Sequence, residues 1–202
     1  MDVHSYQQLP LEINGSTKAI STTLSNDNAL SAELQALNTL HRTLITSEAP
    51  NAVPPAPLPV NPKRSAQVTK MREAGNAAFR RGQHGEAIKL YSLGIEMAGG
   101  RPGWEPNGLA REELAALFAN RAQAHMAGRA WPEAAVDAHC SVELKRVGNP
   151  KAWWRRGLCL LEMGRLDDAA AWVAEAIEFE GPDQELVQLL EDIKKKQEKE
   201  GL

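Results

Sequence analysis

Small residues recur at fixed positions in three successive stretches of the chain, among larger apolar residues. Each stretch predicts a pair of helices, the first with a Gly or Ala at its eighth position and the second with an Ala twelve positions later. These residues are Gly75 and Ala87, Ala122 and Ala134, and Gly157 and Ala169. Helix pairs of this kind bury their apolar faces only by stacking, and the stack leaves a concave surface that binds partners. The pattern therefore predicts an all-α fold of three helix-turn-helix repeats.

The spacing of the repeats places their helices along the chain. The repeats begin near Val68, Ala115 and Pro150, so the first two starts are 47 residues apart and the next two 35. The predicted helix pairs are 66–81 and 84–98, 110–127 and 131–145, and 150–163 and 166–179. The longer first spacing comes from a loop rich in Gly and Pro at 99–108. A final helix over 183–199 has one apolar face and a polar tail, as the open end of a stack requires.

The first part of the chain, residues 1–49, predicts a small α+β region with a hairpin and one helix. Leu11 and Ile13 alternate with other residues ahead of Asn14-Gly15. A stretch with β-branched character follows at 19–22, so two strands joined by a tight Asn-Gly turn are expected. The helix has an apolar stripe of Leu30, Leu34, Leu37, Leu40 and Leu44.

A hairpin and one helix are too small to bury a core of their own. The Leu stripe therefore either folds back on the repeats or docks on another protein. The candidate docking residues are Leu34, Leu37, Leu40 and Leu44.

A proline-rich segment separates the two parts. Six prolines stand between residues 50 and 62, which excludes a helix there and favours an extended spacer. We expect a docking region at 1–49, a linker at 50–65, and a repeat domain with its capping helix at 66–202.

Composition narrows the function classes. With 43% apolar residues, 24% charged residues and a net charge of -3, the chain is typical of a globular protein without a nucleic-acid footprint. No apolar run approaches the roughly 20 residues that span a bilayer, so no direct membrane span is expected. The sequence shows no metal-ligand spacing, phosphate-binding loop or nucleophile motif. We expect neither an enzyme nor a site for a metal or cofactor.

Three segments resemble tetratricopeptide repeats (TPRs). They are Glu73–Phe79, Leu117–Ala122 and Lys151–Gly157, one at the start of each predicted repeat. The match covers roughly two thirds of the chain. Within this family, the pattern of the three segments resembles that of the dicarboxylate-clamp domains, which bind the acidic Glu-Glu-Val-Asp end of cytosolic heat-shock chaperones.

The resemblance implies five clamp residues. They are Arg72, Asn76, Asn120, Lys151 and Arg155. The family usually has Lys where this chain has Arg72. Arg keeps the positive charge, but its planar guanidinium replaces the compact ammonium group of Lys and donates with a different geometry. The residue types suit the task, because Asn amides give directional hydrogen bonds and the cations neutralise two carboxylates. Of the adjacent Trp153 and Trp154, at least one is expected in the core. The other, taken as Trp154, is a possible contact for an apolar side chain of the peptide.

The layout of hairpin, helix, proline-rich linker and three repeats is similar to that of the small cytosolic subunits of the fungal Sec complex for post-translational translocation. The resemblance implies an adaptor peripheral to the cytosolic face of the endoplasmic reticulum (ER). It would sit on a membrane-anchored Sec partner subunit and recruit a heat-shock protein 70 (HSP70) chaperone with its precursor. The alternative is a soluble co-chaperone of the heat-shock protein 90 (HSP90) machinery, because both chaperone tails end alike.

Overall fold

The computed structural model describes residues 9–24, 28–45, 62–101 and 105–201. The chain divides into two compact units, residues 1–59 and 60–202. Among the described helices, none combines the length and apolarity that a bilayer-crossing segment requires.

The first unit contains the predicted hairpin and helix. Strand β1 (Leu11–Ile13) pairs antiparallel with β2 (Ile20–Thr22), and helix α1 spans Asn28–Ile45. Asn38 of α1 ties the helix to the hairpin, because its side chain donates to the carbonyl of Ile20 and accepts from its N–H, both at 2.8 Å. The elements therefore form one small unit.

The prediction of a tight Asn-Gly turn is wrong. Six residues, 14–19, connect the strands, and the positive φ of 57° lies at Lys18 and not at Gly15. The Asn14 side chain accepts hydrogen bonds from the N–H groups of Ser16 and Thr17, at 2.9 and 2.8 Å. Such side-chain bonding to the backbone builds a longer turn than the two-residue type.

The second unit is the predicted helical stack. Its described helices are α2 (Pro62–Arg80), α3 (His84–Gly99), α4 (Asn107–Ala127), α5 (Trp131–Leu144), α6 (Pro150–Glu162), α7 (Leu166–Glu180) and α8 (Gln184–Glu200). Each helix packs on the next along the chain, as three antiparallel pairs with α8 at the end. The prediction of an all-α repeat fold with a small hairpin-containing region is confirmed.

The small residues of the repeats lie where helices meet. A Cβ built on Gly75 would lie 2.5 Å from the ring of Tyr91, and one on Gly157 would lie 2.5 Å from Val173. Ala87, in turn, is fully buried. Real side chains do not approach so closely, so the pattern reflects how near the paired helices come to one another.

Helix α2 begins four residues earlier than expected, within the proposed linker. Pro62 occupies the first helical position, where its missing N–H costs nothing. Arg64 in the added turn donates to the carbonyl oxygens of Met97 and Gly100, at 3.2 and 2.7 Å. This anchor to the end of α3 explains why the helix extends toward the prolines.

Two arginines, one buried and one half-buried, form ion pairs within the stack. Arg101, whose side chain is 3% exposed, pairs with Glu105 and Glu113. Arg121 of α4 donates twice to Asp137 of α5, both at 2.7 Å. Each buried charge therefore has an opposite charge beside it, which such groups require.

Candidate functional site

The first helices of the three repeats, α2, α4 and α6, line one side of the stack. Helix α2 contacts α4, and α4 contacts α6. All five candidate clamp residues stand on these helices, so the fold brings together residues separated by up to 83 positions, from Arg72 to Arg155.

Two candidate clamp residues are in direct contact. Asn120 donates through Nδ2 to Asn76 Oδ1 at 3.0 Å, which joins α4 to α2. The hydroxyl of Tyr91 donates to the same oxygen at 2.7 Å. With its oxygen occupied by two donors, Asn76 presents its amide nitrogen to an incoming acceptor.

Arg155 lies beside this pair. Its guanidinium donates to the carbonyl of Ala119 at 3.1 Å and to Gln123 Oε1 at 2.9 Å. Burial lowers the pKa of Arg155, and the charges of Tyr91 and Glu185 act in the opposite direction. A half-buried cation, which Arg keeps at any physiological pH, is a strong partner for a carboxylate.

Lys151 and Arg155 share a groove of about 500 Å³ with Trp154. Lys151 stands one turn before Arg155 on α6, and its side chain is exposed. Apolar side chains, among them Phe79 and Met126, also line the groove. The groove therefore places two cations beside an apolar surface, as a peptide with both kinds of side chain would need.

Of the two adjacent tryptophans, Trp153 is the core residue, as expected of at least one of them. It is fully buried, and its indole N–H donates to the carbonyl of Arg146 at 2.9 Å. Trp154 is half-buried at the groove, which leaves part of its ring available.

Arg72 lies apart from the other two cations. It lines a second depression of about 380 Å³, with Lys145 and Asn149. Ala119 also lines this depression, and its carbonyl accepts from Arg155, so the two hollows adjoin.

The described residues contain no cluster of His, Cys, Asp or Glu that could hold a metal ion. What they do present is the hydrogen-bonded pair Asn76–Asn120, with cations in the two adjoining hollows. Such a surface can hold an anionic chain end by charge-assisted hydrogen bonds.

Comparison with known proteins shows the family of the chain. No family model matches it. It is 35% identical to the ER protein translocation subcomplex subunit sec67 of Schizosaccharomyces pombe over 143 residues, which are 70% of this chain and 74% of that protein. The chain belongs to the sec67 family. The resemblance to a small TPR subunit of the fungal Sec complex is thereby confirmed.

Solved structures share the fold of this sec67-family chain. A chain of the Sec complex from Saccharomyces cerevisiae matches with a TM-score of 0.70 and 24% identity, over 94% of this chain and 98% of that one. The second TPR domain of human RPAP3, in complex with the HSP70 peptide SGPTIEEVD, matches with a TM-score of 0.55 and 27% identity, over 65% of this chain and 98% of that one. The first likeness shows the fold alone.

Sequence reasoning missed three side chains of the site. Tyr91, which orients Asn76, was visible only as part of the repeat pattern. Gln123 accepts from Arg155, and Glu185 of α8 lines the groove. The sequence could have indicated Gln123, because this residue stands one turn after Asn120 on the same helix face. No local pattern points to Glu185, since α8 was expected only to cap the stack.

In the first unit the Leu stripe is divided. Leu34 is buried, while Leu37 and Leu40 are 44% and 41% exposed. Leu11 and Ile13 of the hairpin are exposed as well. The side chain of Leu44 lies outside the described residues. An apolar surface therefore remains on a unit that has little core of its own.

Proposed function

We propose that this sec67-family chain is an adaptor that binds the acidic C-terminal tail of a cytosolic HSP70 chaperone. It recruits the chaperone, with its precursor protein, to the ER post-translational translocation channel. The observation that carries the proposal is the hydrogen-bonded pair Asn76–Asn120 with Arg155 beside it and Lys151 one turn away. The name of the S. pombe relative and the HSP70 peptide held by the RPAP3 domain support it.

The chemistry of a chain end suits this arrangement. A C-terminal Asp carries two carboxylates within a few ångströms, and both need donors once water is displaced. The amides of Asn76 and Asn120 supply hydrogen bonds without adding charge, while Lys151 and Arg155 neutralise the anions. An internal segment has no terminal carboxylate, so the same donors would remain without full partners.

Arg72 completes the proposed clamp from the adjoining depression. It has the reach to bring a guanidinium toward Asn76, which stands one turn later on α2. Its fork geometry suits a carboxylate held by two parallel hydrogen bonds. Trp154 offers its ring to an apolar side chain that precedes the acidic end.

The first unit has a separate role in this proposal. Residues 1–49 dock on a membrane-anchored partner subunit of the Sec complex, with Leu37 and Leu40 at the centre of the contact. Residues 50–61 form the connection, and the helices α2 to α8, from Pro62 onward, form the TPR domain with its capping helix. The chain then acts peripherally, on the cytosolic face of the ER membrane, as an adaptor and not as an enzyme.

Calorimetry of the full chain with the peptide SGPTIEEVD tests the clamp. We expect a dissociation constant in the micromolar range, about 8 kcal/mol of binding free energy. Lys151→Ala and Arg155→Ala should each weaken binding by about 1.5–3 kcal/mol, the range for hydrogen bonds to charged groups. Lys194→Ala, which removes an exposed cation on α8, is the matched control and should bind as the natural protein does. Unchanged affinity in both clamp variants would contradict the proposal.

The same titration with an HSP90 tail peptide addresses the alternative of a soluble HSP90 co-chaperone. A stronger interaction with the HSP90 tail than with the HSP70 tail would favour that alternative. The clamp itself would stand in either case.

A further inference from the structure

The capping helix α8 contributes a charged side chain to the groove. Glu185, in its first turn, lines the groove together with Lys151, Arg155 and Trp154. The backbone at Glu185 is held in place, because Asp183 Oδ1 accepts from the Glu185 N–H at 2.9 Å and the next residue, Leu186, is fully buried. The helix that closes the stack therefore also forms part of the binding surface.

The Glu185 carboxylate is exposed, and none of the ion pairs within the described part of the chain includes it. It nevertheless acts on Arg155, whose cation it stabilises against the effect of burial. An acidic group beside two cations is unexpected in a site for acidic peptides, since it opposes every carboxylate that enters this end of the groove.

We propose that Glu185 selects the charge of the peptide segment that precedes the terminal carboxylates. It disfavours acidic side chains in the part of the groove next to Trp154 and favours basic ones. This inference rests on the proposed function, because it concerns ligands of the same groove.

The benefit of such a residue is discrimination. Three cations and two amides would attract many acidic segments of the cell, and attraction alone does not separate a chaperone tail from them. A fixed negative charge at one end of the groove repels continuous acidic runs but leaves a short acidic end preceded by neutral or basic residues unaffected. Repulsion of wrong partners is a common source of specificity.

The test uses the full chain and variants of SGPTIEEVD in which each residue of the Gly-Pro-Thr-Ile segment is replaced in turn by Arg or by Glu. At the position that faces Glu185, the Arg peptide should bind the natural protein about five- to tenfold more tightly than the Glu peptide, about 1–1.4 kcal/mol. The preference should fall below about twofold in Glu185→Gln and reverse in Glu185→Lys. It should also weaken with salt, because the group is exposed.

Glu191→Gln is the matched control, since it removes the same charge from an exposed position of the same helix. It should keep the preference of the natural protein. One outcome is that the affinities of the Arg and Glu peptides differ by the same factor in the natural protein and in Glu185→Gln at every position. That result would show that Glu185 does not select the charge of the peptide, while the proposed clamp would be unaffected. If the parent peptide does not bind the natural protein at all, the proposed function fails, and this inference fails with it.

Discussion

The hydroxyl of Tyr91 lies 2.7 Å from Asn76 Oδ1 and donates a hydrogen bond to it. The ring itself packs against Gly75, so the hydroxyl and the ring have separable roles. Tyr91→Phe should keep the packing but release the orientation of the Asn76 amide. We expect peptide affinity to fall by about 0.5–1.5 kcal/mol, the net contribution of one hydrogen bond. Calorimetry measures the affinity, and a denaturant titration of the same variant shows that the protein remains folded. Equal affinity would show that Asn120 alone orients Asn76.

The role of the terminal carboxylate can be tested by changing the peptide and leaving the protein unchanged. Amidation of the last residue of SGPTIEEVD removes one anion and leaves the amides of Asn76 and Asn120 facing a neutral group. Affinity should fall at least tenfold, about 1.4 kcal/mol. The control is the same peptide acetylated at its N-terminus, which keeps the carboxylate and should bind as before. Equal affinity for the amidated and free peptides would show that the groove binds an internal segment of the peptide and not its terminal carboxylate.

The contact between Gly75 and Tyr91 predicts a stability effect. In Gly75→Ala the new Cβ would lie 2.5 Å from the Tyr91 ring, so either the ring or one of the two helices must shift. Overpacking of this kind costs about 1–3 kcal/mol. Gly85→Ala is the matched control, because nothing lies within 4 Å of its added Cβ. Removing a helical Gly there should stabilise the protein by up to about 1 kcal/mol. Denaturant midpoints of the two variants should therefore shift in opposite directions.

The same contact explains why the repeats could be predicted from the sequence. Positions such as Gly75 and Gly157 favour the smallest residues once two helices pack, so the constraint is visible in the sequence at regular spacing. The helices of the stack follow from it, and each observed helix end lies within four residues of the expected one. The hairpin turn could not be predicted in this way. Asn14 has two ways of supporting a turn, and which one forms depends on side-chain bonding.

The candidate site was predictable only in part. The residue types at the clamp positions follow from the family resemblance, and the hydrogen bond between Asn76 and Asn120 agrees with their placement on adjacent helices. Two features needed the structure. Arg72 lies in a depression separate from Lys151, and Glu185 enters the groove from a helix at the other end of the repeats. Both depend on how side chains from distant segments share one surface, which periodicity does not show.

The exposed leucines of α1 predict that the first unit of the chain recruits it to the ER membrane. Leu37 and Leu40 are 44% and 41% exposed, so Leu37→Asp with Leu40→Asp should be tolerated by the fold but not by an apolar interface.

We expect the double variant to leave ER membranes in fractionation while it binds SGPTIEEVD with unchanged affinity. The matched control places the same charges on exposed apolar residues of the second unit, as Leu93→Asp with Val136→Asp, which are 45% and 62% exposed. This control should remain with the membranes, because it leaves α1 intact. If the α1 variant stays on membranes, the docking surface lies elsewhere. If it loses the peptide as well, the two units do not act separately, and the division between docking and chaperone binding is wrong.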